Sequence, residues 1–123
     1  MTDSYRVLVV DDNDSVRRQL CLLLSREDLD ICGQAADGKE AIQQTEKLHP
    51  DVIVLDLRMP VMNGREAARE IRRIAPSTKI VGFTMTDGPT IHEASKVFGM
   101  DAFVQKGCDN DELISTIKHV CAA

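Results

Sequence analysis

Short apolar runs alternate with amphipathic stretches along this chain. Runs at residues 5–10, 30–35, 52–55, 79–83 and 102–105 have the length and the branched aliphatic content of strands. The stretches between them repeat apolar residues at helical spacing. Val16, Leu20, Leu23 and Leu24 make one stripe, and Ala41, Ile42, Thr45 and Leu48 a second. Ala67, Ala68, Ile71 and Ile74 make a third, Ile91, Ala94 and Phe98 a weaker fourth, and Leu113, Ile114, Ile117 and Val120 a fifth. Three helix starts carry an Asp or Asn followed three residues later by Glu: Asp37 and Glu40, Asn63 and Glu66, Asp109 and Glu112. Pro76 stops the third helix, Pro89 suits the first turn of the fourth, and Gly99 suits its C-terminal cap.

Five such strand–helix units in 123 residues predict an α/β fold, a doubly wound five-stranded parallel sheet with helices on both faces. "VLVV" and "VIVL" read as strands buried on both sides. No linker, low-complexity tract or internal repeat interrupts the pattern, so residues 1–123 are expected to form one domain.

In such sheets the ligand crevice lies at the carboxyl ends of the strands, near a switch in strand order. The residues that follow each apolar run are therefore informative. Asp11 and Asp12 follow the first, within "DDND"; Asp56 follows "VIVL"; Thr84 follows "VGF"; Lys106 follows "AFVQ". The second run ends in the bland pair Ala35 and Ala36. Four strands thus deliver polar or charged groups to one edge. Each acid has a plainer reading alone, since Asp12 or Asp14 could cap the first helix and Asp56 could be a loop residue. Together they read as a site.

The composition narrows the classes. Fifteen Lys and Arg against 20 Asp and Glu leave a formal charge of -5, which offers no basic surplus for phosphate backbones. No segment approaches the roughly 20 apolar residues of a transmembrane helix. "MTDSYR" lacks the layout of a signal peptide, and a cytoplasmic protein is expected. Cys21, Cys32, Cys108 and Cys121 form no C-x-x-C pair and no zinc spacing, so they read as reduced thiols, two of them on apolar helix faces. His49, His92 and His119 read as surface residues, and Arg17 and Arg18 as a solvated face of the first helix.

Asp11, Asp12 and Asp56 are hard oxygen ligands, and few protein ligands with retained water is how Mg2+ usually binds. A carboxylate can attack a phosphoryl group to give an aspartyl phosphate. That transfer needs charge neutralisation more than covalent help. Mg2+ on Asp11 and Asp12, Lys106 as a fixed cation and Thr84 as a hydroxyl donor would complete a phosphoryl-accepting site.

On "VLVVDDND", "VIVLDLRMPVMNG", "VGFT" and "DAFVQK", the chain resembles a receiver domain of a two-component response regulator over essentially its whole length. "DGKEAI", "RMPVMNG" and "IRRIAPSTKIV" are most similar to receivers of the nitrate-responsive, LuxR-type regulators. The resemblance implies strand order 2-1-3-4-5. It implies Asp56 as phosphoacceptor, the backbone carbonyl of Arg58 as a further metal ligand, and Thr84 and Phe103 as a switch pair. Arg58 and Thr86 match positions that tune hydrolysis of the acyl phosphate. It implies a sensor histidine kinase or a phosphotransfer protein as donor. The output would be a shift in the surface of the fourth helix, fifth strand and fifth helix, where His92, Glu93, Lys96, Asp111, Glu112 and Lys118 could also serve a homodimer. Relatives of this kind usually carry a C-terminal helix-turn-helix. None follows "HVCAA", so a stand-alone receiver or one excised from a longer protein is expected, with no nucleic-acid binding by this chain alone. Lys106 is followed by Gly107 where many receivers have Pro, and Met100 stands where a small residue is common.

Other readings are weaker. A flavodoxin-like FMN carrier needs a hydroxyl- and Gly-rich loop after the first strand, where "DDND" would repel a bare phosphate. A haloacid-dehalogenase-like phosphatase would want a second Asp at position 58, which is Arg58. A partner-binding pseudo-receiver would have lost a reacting group, and here all are present. A P-loop nucleotidase lacks its G-x-x-x-x-G-K-[ST].

Overall fold

The five apolar runs become five parallel strands: β1 (Tyr5–Val10), β2 (Leu29–Ala35), β3 (Val52–Asp56), β4 (Lys79–Thr84) and β5 (Ala102–Gln105). They form one sheet in the order β2-β1-β3-β4-β5. The computed structural model describes residues 5–27, 29–56, 64–84, 100–105 and 110–122, with the backbone alone for Gly64, Arg65 and Thr84. The described helices are α1 (Asp14–Ser25), α2 (Gly38–Leu48), α3 (Gly64–Ile74) and a C-terminal helix (Asn110–Ala122). The predicted helix around Ile91, Ala94 and Phe98, with Pro89 and Gly99, lies outside the described residues.

The period of two along each strand sorts the core into two layers. Val7 and Val9 of β1, Val52 and Val54 of β3, and Val81 and Phe83 of β4 pack with Leu20 and Leu24 of α1. Leu113, Ile114, Ile117 and Val120 of the C-terminal helix close that layer. On the other face Leu8, Val10, Ile53, Leu55 and Ile80 meet Ala41 of α2 and Ala67, Ala68 and Ile71 of α3. Met100 is buried in this second layer. In the described helices, the stripes read from the sequence are the ones that face the sheet. All five residues of β3 are buried, as expected of a strand covered on both sides.

The ends of the helices match their local chemistry with one correction. Asp37 caps α2, its carboxylate accepting the Glu40 amide at 2.8 Å. Asn13, and neither Asp12 nor Asp14, caps α1: its Oδ1 accepts the Val16 amide at 3.1 Å. An amide oxygen caps the helix there without adding a further negative charge beside the acids. The capping candidates Asn63 and Asp109 lie outside the described residues. At the end of α2, His49 takes the left-handed conformation at φ 49°, a position that usually goes to Gly. Arg6 secures that turn, with its Nη1 donating to the Leu48 carbonyl at 2.5 Å and the His49 carbonyl at 3.0 Å.

Cys21 and Cys121 pack against the first layer, and Cys32 donates from Sγ to the Val7 carbonyl. Burial pushes the Cys21 and Cys32 thiols up and drives Cys121 up to about 11. These three are free, protonated thiols at neutral pH, with little nucleophilic character.

Candidate functional site

Parallel strands put all their carboxyl ends at one edge, and the switch in order falls between β1 and β3. Asp11 directly follows Val10 of β1, and Asp56 is the last residue of β3, which pairs with β1 through Val10 and Leu55. Both acids continue the alternation that points Val7, Val9, Val52 and Val54 toward α1. The apolar pattern itself therefore delivers the two carboxylates to the same face of neighbouring strands. Asp12, one residue further on, is exposed at the rim.

One carboxylate oxygen from each of Asp11, Asp12 and Asp56 lies within 4.8 Å of the others. Asp11 is 1% exposed and Asp56 3%. Unit charges 4.8 Å apart repel by about 3 kcal/mol at an effective dielectric of about 20, so the set favours a cation among the three. The donors are all hard oxygens, and two are largely shielded from water. That chemistry fits Mg2+ or a similar divalent ion, which takes a few carboxylates and keeps open positions for water or a phosphoryl oxygen.

Asp11 is held from several directions. Its amide donates to the Ala35 carbonyl at 3.1 Å, its Oδ1 accepts the Asn13 amide at 2.9 Å, and its carbonyl accepts Arg17 Nη1 at 2.7 Å. Two of these partners were not visible as such in the sequence. Ala35 contributes only its backbone, which composition cannot reveal. Arg17, read there as solvated, has a side chain only 16% exposed and folded over the loop. Its signal was positional: side chains in the first turns of a helix lean back toward the N-terminus, where the acids are. Arg18, one position round the helix, is exposed as expected.

Thr84 closes β4 at the same edge, its backbone in register with Gln105. Phe103 sits two residues short of the end of β5, paired with Gly82 and half-buried against the second layer. It is therefore not at a strand end beside Thr84, and its cross-strand neighbour is a residue with no side chain. Lys106, the residue after β5, lies outside the described residues, as do Arg58 and Thr86. The structure thus brings together Asp11, Asp12 and Asp56, and puts the Thr84 backbone on their edge.

Comparison with known proteins agrees with this geometry. Residues 7–118 match the model of the response regulator receiver domain. The response regulator GacA of Pseudomonas viridiflava is 35% identical over 118 residues, covering 95% of this chain and 55% of GacA. The chain thus spans about half the length of GacA and of other curated regulators it matches, and about a fifth of some longer relatives. The receiver domain of the NarL response regulator of Mycobacterium tuberculosis superposes with a TM-score of 0.93 at 27% identity, covering 99% of each chain. A LuxR-family two-component response regulator from Aurantimonas sp. SI85-9A1 gives 0.91 at 31% identity, covering 98% of this chain and 86% of the other. Strand order, acid placement and sequence converge, and the chain belongs to the response regulator receiver domains of two-component signalling.

Proposed function

We propose that residues 1–123 act as one Mg2+-dependent phosphoacceptor unit in which Asp56 receives a phosphoryl group from a sensor histidine kinase or a phosphotransfer protein. The observation that carries this is the convergence of Asp11, Asp12 and Asp56, with Asp56 buried at the end of the central strand. An Asp56 carboxylate oxygen attacks phosphorus and forms the P–O bond. The bond from phosphorus to the donor nitrogen breaks, and its electron pair leaves with the imidazole, which takes up a proton. Bound Mg2+ would neutralise charge on the transferring group. Asp11 and Asp12, with the backbone carbonyl of Arg58, would hold that ion. Lys106 would pair with another phosphoryl oxygen, and the Thr84 hydroxyl would donate to a third.

The chain would catalyse only its own phosphorylation and dephosphorylation, at rates tuned by the side chains of Arg58 and Thr86. Among the described residues no helix is long and apolar enough to cross a membrane. A cytoplasmic setting matches a kinase donor. The reading requires no nucleic-acid contact from this chain, and any homodimer would use the surface that includes the C-terminal helix.

Incubation with acetyl phosphate and Mg2+ should add one phosphoryl mass that hydroxylamine removes, as it does from acyl phosphates, and EDTA should prevent the gain. A hydroxylamine-stable adduct would place the phosphoryl group on a hydroxyl as a phosphate ester and reject the acyl phosphate. The switch makes a separate prediction. Thr84→Ala should still accept the phosphoryl group but transmit it weakly, because the hydroxyl would link the anion to the β4 end and Phe103. Beryllofluoride-induced NMR shifts should persist at Asp56 in this variant and shrink along the C-terminal helix. Undiminished shifts along Asn110–Ala122 would remove Thr84 from the relay.

A further inference from the structure

The guanidinium of Arg17 links three elements at the acid cluster. Its Nη1 donates to the Asp11 carbonyl at 2.7 Å, its Nε donates to Gln34 Oε1 at 3.2 Å, and its Nη2 pairs with Asp14. Gln34 lies on β2, which runs in register with β1 from Val9 onward. The rigid sheet edge is thereby tied, through one side chain, to the peptide that joins the two acids.

We propose that Arg17 is a positioning residue for the divalent-cation site. The peptide between Asp11 and Asp12 is a planar unit, so fixing the Asp11 carbonyl fixes the direction in which Asp12 leaves it. The repulsion within the acid trio acts most easily on Asp12, the exposed member, which can swing into water. Arg17 opposes that swing. It does so with the forked, planar donor set that Lys lacks. The Asp14 carboxylate holds the guanidinium plane, and Gln34 supplies the anchor that does not move with the loop. This proposal rests on the phosphoacceptor reading, since its value lies in holding the cation that the transfer needs.

The sign of the effect separates positioning from charge. A bare positive charge beside the acids competes with a cation, so removing it alone would tighten Mg2+ binding. Loss of a positioning contact weakens it, by about tenfold or more for groups that orient metal ligands. The experiment titrates Mg2+ into wild type, Arg17→Met, Arg17→Lys and Gln34→Ala. Amide NMR shifts at Val10–Asn13 and Asp56 are followed, with melting curves in EDTA recorded alongside. Arg17→Met is expected to bind Mg2+ about tenfold more weakly. Arg17→Lys, which keeps the charge, should bind more weakly than wild type too, and Gln34→Ala by about threefold, as a partial loss of the same anchor.

Unchanged or tighter binding by Arg17→Met, or wild-type binding by Arg17→Lys, overturns the proposal. If Arg17→Met does not fold, Gln34→Ala decides, because an exposed strand residue can be shortened without disturbing the core. Wild-type Mg2+ affinity in Gln34→Ala would then overturn it. Wild-type protein that neither binds Mg2+ nor gains a phosphoryl group overturns the phosphoacceptor reading as well. Wild-type protein that does both, with variants that match it, overturns the role of Arg17 alone.

Discussion

Asp12→Ala is expected to melt higher than wild type in EDTA and to lose most of the rise that Mg2+ produces. The acid trio lies within 4.8 Å with Asp12 its exposed member, so removing Asp12 relieves two repulsive pairs and opens no cavity. Solvent screening limits the gain to a baseline rise of about 3 °C. The alternative role for Asp12, a cap on α1, is filled by Asn13. No helix end is therefore lost with the carboxylate. On the proposed reading Mg2+ binds the folded state, and it should stabilise wild type by about 1.4 kcal/mol at ten times its dissociation constant. For a domain of this size that amounts to about 5 °C. The variant keeps the Asp11 and Asp56 carboxylates but loses one proposed ligand, and its Mg2+-dependent rise should fall below about 2 °C. Both curves need matched ionic strength, so that simple screening does not pass for binding. A variant that melts lower in EDTA and keeps the full Mg2+ rise would show Asp12 to be structural.

The fold was legible because its determinants are local and periodic. "VLVV" and "VIVL" leave few alternatives to buried strands, and their alternation also fixes which face Asp11 and Asp56 share. The helical stripes predicted the buried apolar side chains of all four described helices for the same reason. What the sequence hid was of another kind. The cap of α1 was hidden because three carboxylates, two of them offered as alternative caps, flank the Asn13 amide that does the capping. His49 at positive φ gave no glycine to mark it, since the compensating contact comes from Arg6, far away in the chain. Arg17 and Arg18 look alike in sequence, yet a rotation of one helical position sends one over the acid loop and the other into solvent. The proposed partners Thr84 and Phe103 are not cross-strand neighbours, since the register pairs Phe103 with Gly82 and Thr84 with Gln105.

The phosphoacceptor assignment stands or falls on Asp56. Its carboxylate is one of the two buried members of the trio, at the end of a strand whose five residues are all buried. Asp56→Asn keeps the shape of the side chain and removes the anionic nucleophile, since an amide oxygen attacks phosphorus poorly. The substitution also lowers the local charge, so the variant should fold at least as stably as wild type in EDTA, and loss of labelling cannot be put down to unfolding. Asp11 and Asp12 remain in the variant as competing carboxylates. If either were the true acceptor, labelling would survive. The deciding measurement is the intact mass of wild type and Asp56→Asn after equal exposure to acetyl phosphate with Mg2+. The account predicts one added phosphoryl mass in wild type and none in the variant; equal labelling of the two would contradict it.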